Sequence, residues 1–367
     1  MASAPAPIRV GLIGYGYAGK TFHAPLIRAV PALDLRVVGS RDPAKVRSDL
    51  PGMTVIAEPA AVAASDDVDL VVIASPNDTH APLARLALQA GKHVVVDKPF
   101  TLDLAEARDL VALARRRGRM LSVFHNRRWD SDYLTVRAAI AEGRVGKVRH
   151  VESHFDRFRP LVRDRWREAA GPGGGIWYDL GPHLVDQALQ LFGLPDRVTA
   201  NLARLRQGAL SDDWAHVVLD YPDLRVVLQA SMLVAGGSPR FLVHGEAGSL
   251  VKQRLDIQEQ QLLAGLAPGA PGWGEDPDGI AIHDGTGAVT HAPAVAGDQR
   301  HYYAGVARQV AQGTIDHTAA LEALQVMACI EAALISARTG TSVAPPLTPE
   351  ERDPSGLAGD GAASPHA

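Results

Sequence analysis

The chain has 367 residues, 46% of them hydrophobic, so it can bury a sizeable core and is expected to divide into two domains. A formal net charge of −4, with no long basic run, leaves no footprint for nucleic acid or an anionic membrane. The single cysteine, Cys329, excludes a disulfide framework and a thiolate metal cluster, and its apolar helical surroundings fit a buried structural thiol.

Residues 1–7 have neither the positive start nor the apolar stretch of a signal peptide, and no uninterrupted apolar run is long enough to span a bilayer. The expected location is the cytoplasm. Ile8 to Gly19 then reads as a buried strand running into a glycine-rich turn and a helix. Gly14 allows the tight turn, Gly16 lets backbone approach a pyrophosphate, and Gly19 lets helix pack closely on strand. The N–H groups at the helix start face the phosphates.

A second apolar run, Leu33 to Val38, lies where the next strand of a βαβ unit should fall. An NAD site wants an acidic residue at its end, whereas this chain offers Gly39-Ser40-Arg41. A guanidinium matches a phosphate dianion, which favours NADP, with NAD as the alternative. If the strand ran one residue longer, Asp42 could take the ribose instead.

Strand and helix patterns alternate through Val68–Ala74, Pro82–Ala90, His93–Val96, Leu104–Arg117 and Leu121–Phe124, which implies a parallel sheet covered on both faces. Ligands bind such sheets at the carboxyl ends of the strands. Those ends carry Gly14–Gly19, Ser40-Arg41, Ser75-Pro76-Asn77, Asp97-Lys98-Pro99 and His125-Asn126. Lys98, placed after an apolar strand, can hydrogen-bond a substrate hydroxyl and stabilise developing negative charge, although an ordinary solvated lysine would fit the same position.

After Trp129 a helical stretch runs to Glu142, followed by strand-like runs at Val148–Asp156, Val198–Leu205, Ala215–Tyr221, Leu224–Met232 and Arg240–His244. Turn residues between them predict an open antiparallel sheet in an α+β domain. Helices are expected over Tyr178–Leu191, Gln299–Gln312 and Thr318–Ala337, an exposed loop over Leu263–Gly274, and a disordered tail from Pro345. The predicted division is a dinucleotide-binding domain over 1–125, a substrate and oligomerisation domain over 126–344, and the tail over 345–367.

Gly173 to Asp186 carries further chemistry. A helix beginning near Asp179 would hold Pro182 in its first turn, where a missing N–H is tolerated, and would set Asp179 and His183 on one face. A carboxylate beside an imidazole fixes its orientation and raises its basicity, which suits a proton acceptor. The plainer alternative is an N-capping aspartate and a surface histidine.

Ile8–Gly19, Asp97-Lys98-Pro99 and Gly173–Asp186, in this order, resemble the Gfo/Idh/MocA family of glucose–fructose oxidoreductase and inositol dehydrogenase. The runs Lys20-Thr21-Phe22-His23-Ala24-Pro25, Val123–Asp130 and Ser153–Pro160 look like its scyllo-inositol dehydrogenase branch. The resemblance implies a Rossmann domain followed by an α/β domain with a large open sheet, and a homo-oligomer, dimer or tetramer, often built on that sheet's exposed face. It also implies that Lys98, Asp179 and His183 are catalytic. One departure is Asp97, where glutamate is usual.

The expected cofactor set is Gly14, Tyr15, Gly16, Tyr17, Gly19, Ser40, Arg41, Ser75, Asn77, His80 and Lys98, and the substrate set is His125, Asn126, Arg128, Arg157, Trp166 and Tyr178. The arginines at 157, 159, 163, 165 and 167, interleaved with acids, read as a salt-bridged loop; His301, Tyr302 and Tyr303 read as structural. No metal-ligand spacing appears. The expected activity is NADP-dependent oxidation of a small cyclic polyol, with scyllo-inositol leading, another sugar or polyol next, and a non-catalytic NADP-responsive binding protein as the rival from a different class.

Overall fold

The computed structural model describes residues 6–313 and 315–353. They form two compact units. In the first, strands β1 (Ile8–Ile13), β2 (Leu33–Gly39), β3 (Thr54–Ile56), β4 (Leu70–Ile73), β5 (His93–Val96) and β6 (Leu121–Val123) make a parallel sheet in the order β3-β2-β1-β4-β5-β6. This is the Rossmann order. β4 is Leu-Val-Val-Ile and β5 is three valines after His93, all of them buried but the histidine, because helices cover both faces of the sheet. The helix Leu104–Arg117 shows how local sequence sets its ends: Asp103 accepts from the Glu106 amide at 2.8 Å, three arginines fill the last turn, and left-handed Gly118 closes it.

The second unit is built on an eight-stranded sheet of β7 (Val148–Asp156), β8 (Arg197–Ala203), β9 (Trp214–Asp220), β10 (Arg225–Ser231), β11 (Phe241–Gly245), β12 (Gly248–Lys252), β13 (Ile280–Asp284) and β14 (Val289–Ala292). Its order is β14-β13-β12-β11-β7-β10-β9-β8, antiparallel except for the β7/β10 pair. Along β7, Val151, Ser153 and Phe155 are buried while His150, Glu152 and His154 between them are half-exposed. One face is therefore packed, and the helix Ile176–Phe192 lies against it on β7, β9 and β10.

The units are discontinuous in sequence. Tyr302 to Met327, and the chain from Leu347, pack with the first unit, while Ala328–Pro346 packs with the second. Aromatic contacts explain the exchange: Phe124 meets Tyr302 edge-to-face at 4.9 Å between centroids and Tyr303 at 5.7 Å. The tail expected from Pro345 is ordered as far as Asp353, because Thr348 and Glu351 form a capping box on the turn Pro349–Arg352 and Arg108 pairs with Glu351 at 2.7 Å. The remainder of the expected tail, 354–367, lies outside the described residues. The helix Thr318–Thr339 is long and apolar enough to cross a membrane by length and composition, yet most of its apolar window is buried inside the protein, Cys329 with it.

Candidate active site

On the first unit, β1 ends at Ile13 and Gly14 turns the chain with φ +99°; a side chain there would strike the Ala74 carbonyl. A Cβ on Gly19 would collide with the Gly14 carbonyl oxygen, whereas one on Gly16 would meet open space. Helix and strand are thus pressed together at Gly19 while Gly16 leaves backbone open to an incoming pyrophosphate, so the turn fits a dinucleotide. Tyr15 and Tyr17 part company. Tyr15 is buried, its phenol pushed up to about 12 by burial and by Asp49, so only its backbone can serve a ligand; Tyr17 is exposed, edge-on to Phe22 at 6.0 Å.

β2 stops at Gly39, and the next three residues have separate fates. Ser40 Oγ accepts from the Asp42 amide at 3.1 Å. Asp42 N-caps the helix Pro43–Asp49, its Oδ1 accepting from the Lys45 amide at 3.0 Å. Arg41 is exposed and makes no hydrogen bond or ion pair among the described residues.

At the ends of β4 and β5, Ser75 Oγ lies 2.5 Å from Thr79 Oγ1, and Asn77 is buried. His80, expected in the cofactor set, turns its ring inward. It is buried, with Nδ1 2.8 Å from the Pro99 carbonyl and Nε2 3.0 Å from the Ser75 carbonyl; burial lowers its pKa and favours the neutral ring, whose single N–H donates to one of the two. Its ring braces the loop after β4 against the Lys98-Pro99 turn. Lys98 is half-exposed at the end of β5, and its amide donates to Asp97 Oδ1 at 2.8 Å.

Asp97 is buried, which opposes ionisation, but the His23 contact and the nearby Lys98 ammonium outweigh burial and hold its carboxyl at about 2. A depressed carboxyl stabilises the fold above its ordinary 3.8, and that contribution is lost as pH falls towards about 2. Wild type is expected to lose about 2 kcal/mol more than Asp97→Asn across this interval. Urea midpoints measured through the acid range check this; parallel curves for the two proteins would contradict it.

On the second unit, the helix Ile176–Phe192 starts three residues earlier than Asp179, following Gly175 at φ +99°. Asp212 caps it from a distance, its carbonyl accepting from the Ile176 amide and its carboxylate from the Trp177 amide, each at 2.8 Å. Pro182 therefore sits inside the helix rather than in its first turn, with no N–H of its own to offer the Tyr178 carbonyl. Asp179 and His183 occupy one helical face, a turn apart. Two arginines flank the Asp179 carboxylate: Arg157 at 3.7 Å from Oδ2 and Arg167 at 3.6 Å from Oδ1.

His183 is buried, its ring 6.3 Å from that of Phe155. Phe155 lies between two guanidiniums, Arg240 at 4.0 Å and Arg127 at 5.1 Å from its centroid. Arg240 is anchored by Asp132 at 2.8 Å, Ser153 Oγ at 2.6 Å and Gln187 Oε1 at 2.5 Å. Arg127 pairs with Asp130 at 2.9 Å and Glu259 at 3.2 Å. This buried network behind His183 is invisible to motif reading, since its members lie on five separate segments; of these members, the alternation of β7 places only Ser153 and Phe155 inward.

The expected substrate set divides. Arg128 is already paired: its guanidinium grips the buried Asp186 carboxylate, with Nη2 to Oδ1 at 2.6 Å and Nε to Oδ2 at 3.0 Å, so it ties the Asn126–Trp129 turn to the long helix. His125 and Asn126 are buried at the end of the strand, and Tyr178 is half-buried. The side chain of Trp166 lies outside what the structure describes. The arginine loop is salt-bridged, as expected, but around a buried acid: Glu168 meets Arg165 at 2.6 Å and Arg206 at 3.0 Å. Among the described residues no group of three or more histidine, cysteine, aspartate or glutamate side chains could hold a metal.

A Rossmann sheet with an open glycine turn at its first strand end, followed by a unit on a large mixed sheet, defines a dinucleotide-dependent oxidoreductase. Two family models match the chain: the NAD-binding Rossmann fold of the Gfo/Idh/MocA oxidoreductases over residues 8–125, and their C-terminal alpha/beta domain over 137–344. An Escherichia coli relative named as an uncharacterized oxidoreductase, YdgJ, is 53% identical over 334 residues, covering 90% of this chain and 96% of the relative. The scyllo-inositol 2-dehydrogenase (NADP(+)) IolW of Bacillus subtilis is 35% identical over 336 residues, covering 90% and 94%. The crystal structure of an oxidoreductase from Bacillus cereus matches with TM-score 0.81 at 27% identity, covering 93% of this chain and 99% of that one. The chain belongs to the Gfo/Idh/MocA oxidoreductase family and is an NAD(P)-dependent dehydrogenase acting on CH–OH groups.

Proposed function

We propose that the protein oxidises a cyclic polyol with NADP, scyllo-inositol to a keto-inositol being the leading reaction. The observation that carries the cofactor choice is the end of β2, where Arg41 is uncommitted and Asp42 is taken up in capping the next helix. A bound nicotinamide ring supplies the hydride acceptor. His183 takes the hydroxyl proton, Asp179, held by Arg157 and Arg167, orients the imidazole, and the Lys98 ammonium hydrogen-bonds the reacting oxygen as charge develops on it. The similarity to the NADP-dependent scyllo-inositol dehydrogenase supports the substrate class. The protein acts in the cytoplasm as a homo-oligomer in this reading.

Initial rates on a panel of inositols and aldoses, each with NADP and NAD, test the proposal. Scyllo-inositol with NADP is expected to give the highest kcat/KM; a preference for an aldose would move the substrate, and inertness towards every polyol would favour a nucleotide sensor. Arg41→Ala is expected to raise KM for NADP by about tenfold or more with little change for NAD, the loss of one charge-assisted phosphate contact. Equal changes for both nucleotides would place the phosphate elsewhere.

A further inference from the structure

We infer that His23 and Tyr303 form with Asp97 a buried, proton-ordered relay that holds the Lys98 turn, which makes His23 a positioning residue for the dehydrogenase. The inference rests on the reading that Lys98 acts on the reacting oxygen. His23 closes a π-helical turn, Gly19–His23, directly after the glycine loop, and such turns concentrate at functional sites. The extra residue in that turn changes the helical phase of the segment after it, and His23 lies wholly inside the unit, its ring 4.2 Å from that of Phe124.

The contacts run in one direction. Tyr303 Oη lies 2.5 Å from His23 Nδ1, His23 Nε2 faces Asp97 Oδ2 at 3.7 Å, and Asp97 Oδ1 accepts from the Lys98 amide at 2.8 Å. An ionised carboxylate can only accept, so the ring nitrogen facing it, Nε2, carries a proton. In a neutral ring Nδ1 is then a bare acceptor, and Tyr303 must donate to it. Burial raises the Tyr303 phenol well above its ordinary range, which keeps that proton in place. The short carboxylate at position 97 is thus hydrogen-bonded by the Lys98 amide and faced from behind by the imidazole Nε2, which at 3.7 Å acts on it by electrostatic attraction rather than by a hydrogen bond. A distorted Asp97 would displace Lys98 without touching the glycine turn that binds pyrophosphate.

Two measurements on the full chain test this. In histidine-selective ¹⁵N NMR of the wild type at neutral pH, His23 is expected to show a protonated Nε2 and an unprotonated Nδ1, and Tyr303→Phe, which removes only the hydroxyl, is expected to shift the Nδ1 signal. The opposite tautomer, or no response to Tyr303→Phe, overturns the relay. In kinetics, His23→Phe is expected to lower kcat about 10- to 100-fold with unchanged NADPH affinity by nicotinamide fluorescence, and His23→Gln, which can present an amide N–H to Asp97, to recover most of the loss. Unchanged kcat, a parallel loss of NADPH affinity, or a glutamine variant no better than phenylalanine would each overturn the positioning role. If wild type turns over no polyol, the proposed function fails, while the NMR result still decides the relay.

Discussion

Replacing His183 with alanine is expected to reduce turnover by about 10²- to 10⁴-fold while NADPH binding is retained, the usual worth of a positioned general base. The side chain is buried on the helix Ile176–Phe192 beside Phe155, on the second unit, whereas the glycine turn and Arg41 belong to the first. In the proposed reading, cofactor affinity and proton transfer therefore respond to different substitutions. Nicotinamide fluorescence titration and steady-state rates on the same preparation check both halves of the prediction. Near-normal turnover in the variant would remove His183 from the mechanism, and a matching loss of NADPH affinity would point to a folding defect instead.

Arg240→Ala is expected to cost about 3–5 kcal/mol of stability, the largest effect on folding of any single substitution considered, because it strips a buried carboxylate of its counter-charge. Asp132 and Arg240 are both almost fully buried and meet at 2.8 Å, and Arg240 also satisfies Ser153 and Gln187. The guanidinium further supports Phe155 and Phe241 at about 4 Å from their centroids. Alanine leaves a cavity, an unpaired Asp132 and two unsupported rings. Urea unfolding of variant and wild type measures the loss; a change within about 1 kcal/mol would mean that the network relaxes around the gap.

Long periodic elements are legible from sequence because burial imposes its own period on them. The apolar runs that form β1, β2, β4 and β5, the alternation along β7, and the helix Leu104–Arg117 with its Asp103 cap and Gly118 stop all carry a local signal. β14 carries none: its first three residues are exposed, so no alternation marks it, and β3 is a three-residue edge strand. Helix starts set by distant partners are equally hidden. The first turn of Ile176–Phe192 is capped by Asp212, 35 positions from Trp177, so local sequence points to Asp179 as the cap instead.

The candidate site divides along the same line. Residue types at strand ends point to Arg41 and Lys98, since position at a sheet edge is a local property. What occupies a side chain is not local: His80 sits between two carbonyls, Arg128 serves Asp186, and Tyr303 reaches a histidine 280 positions away.

The most direct test follows the hydrogen itself. With scyllo-inositol carrying deuterium on its ring carbons and NADP as acceptor, the NADPH produced is expected to bear one deuterium on the nicotinamide ring and to form together with a keto-inositol in equal amount. Reduced nucleotide without the label, or no reduced nucleotide from this polyol, would contradict hydride transfer from the ring carbon.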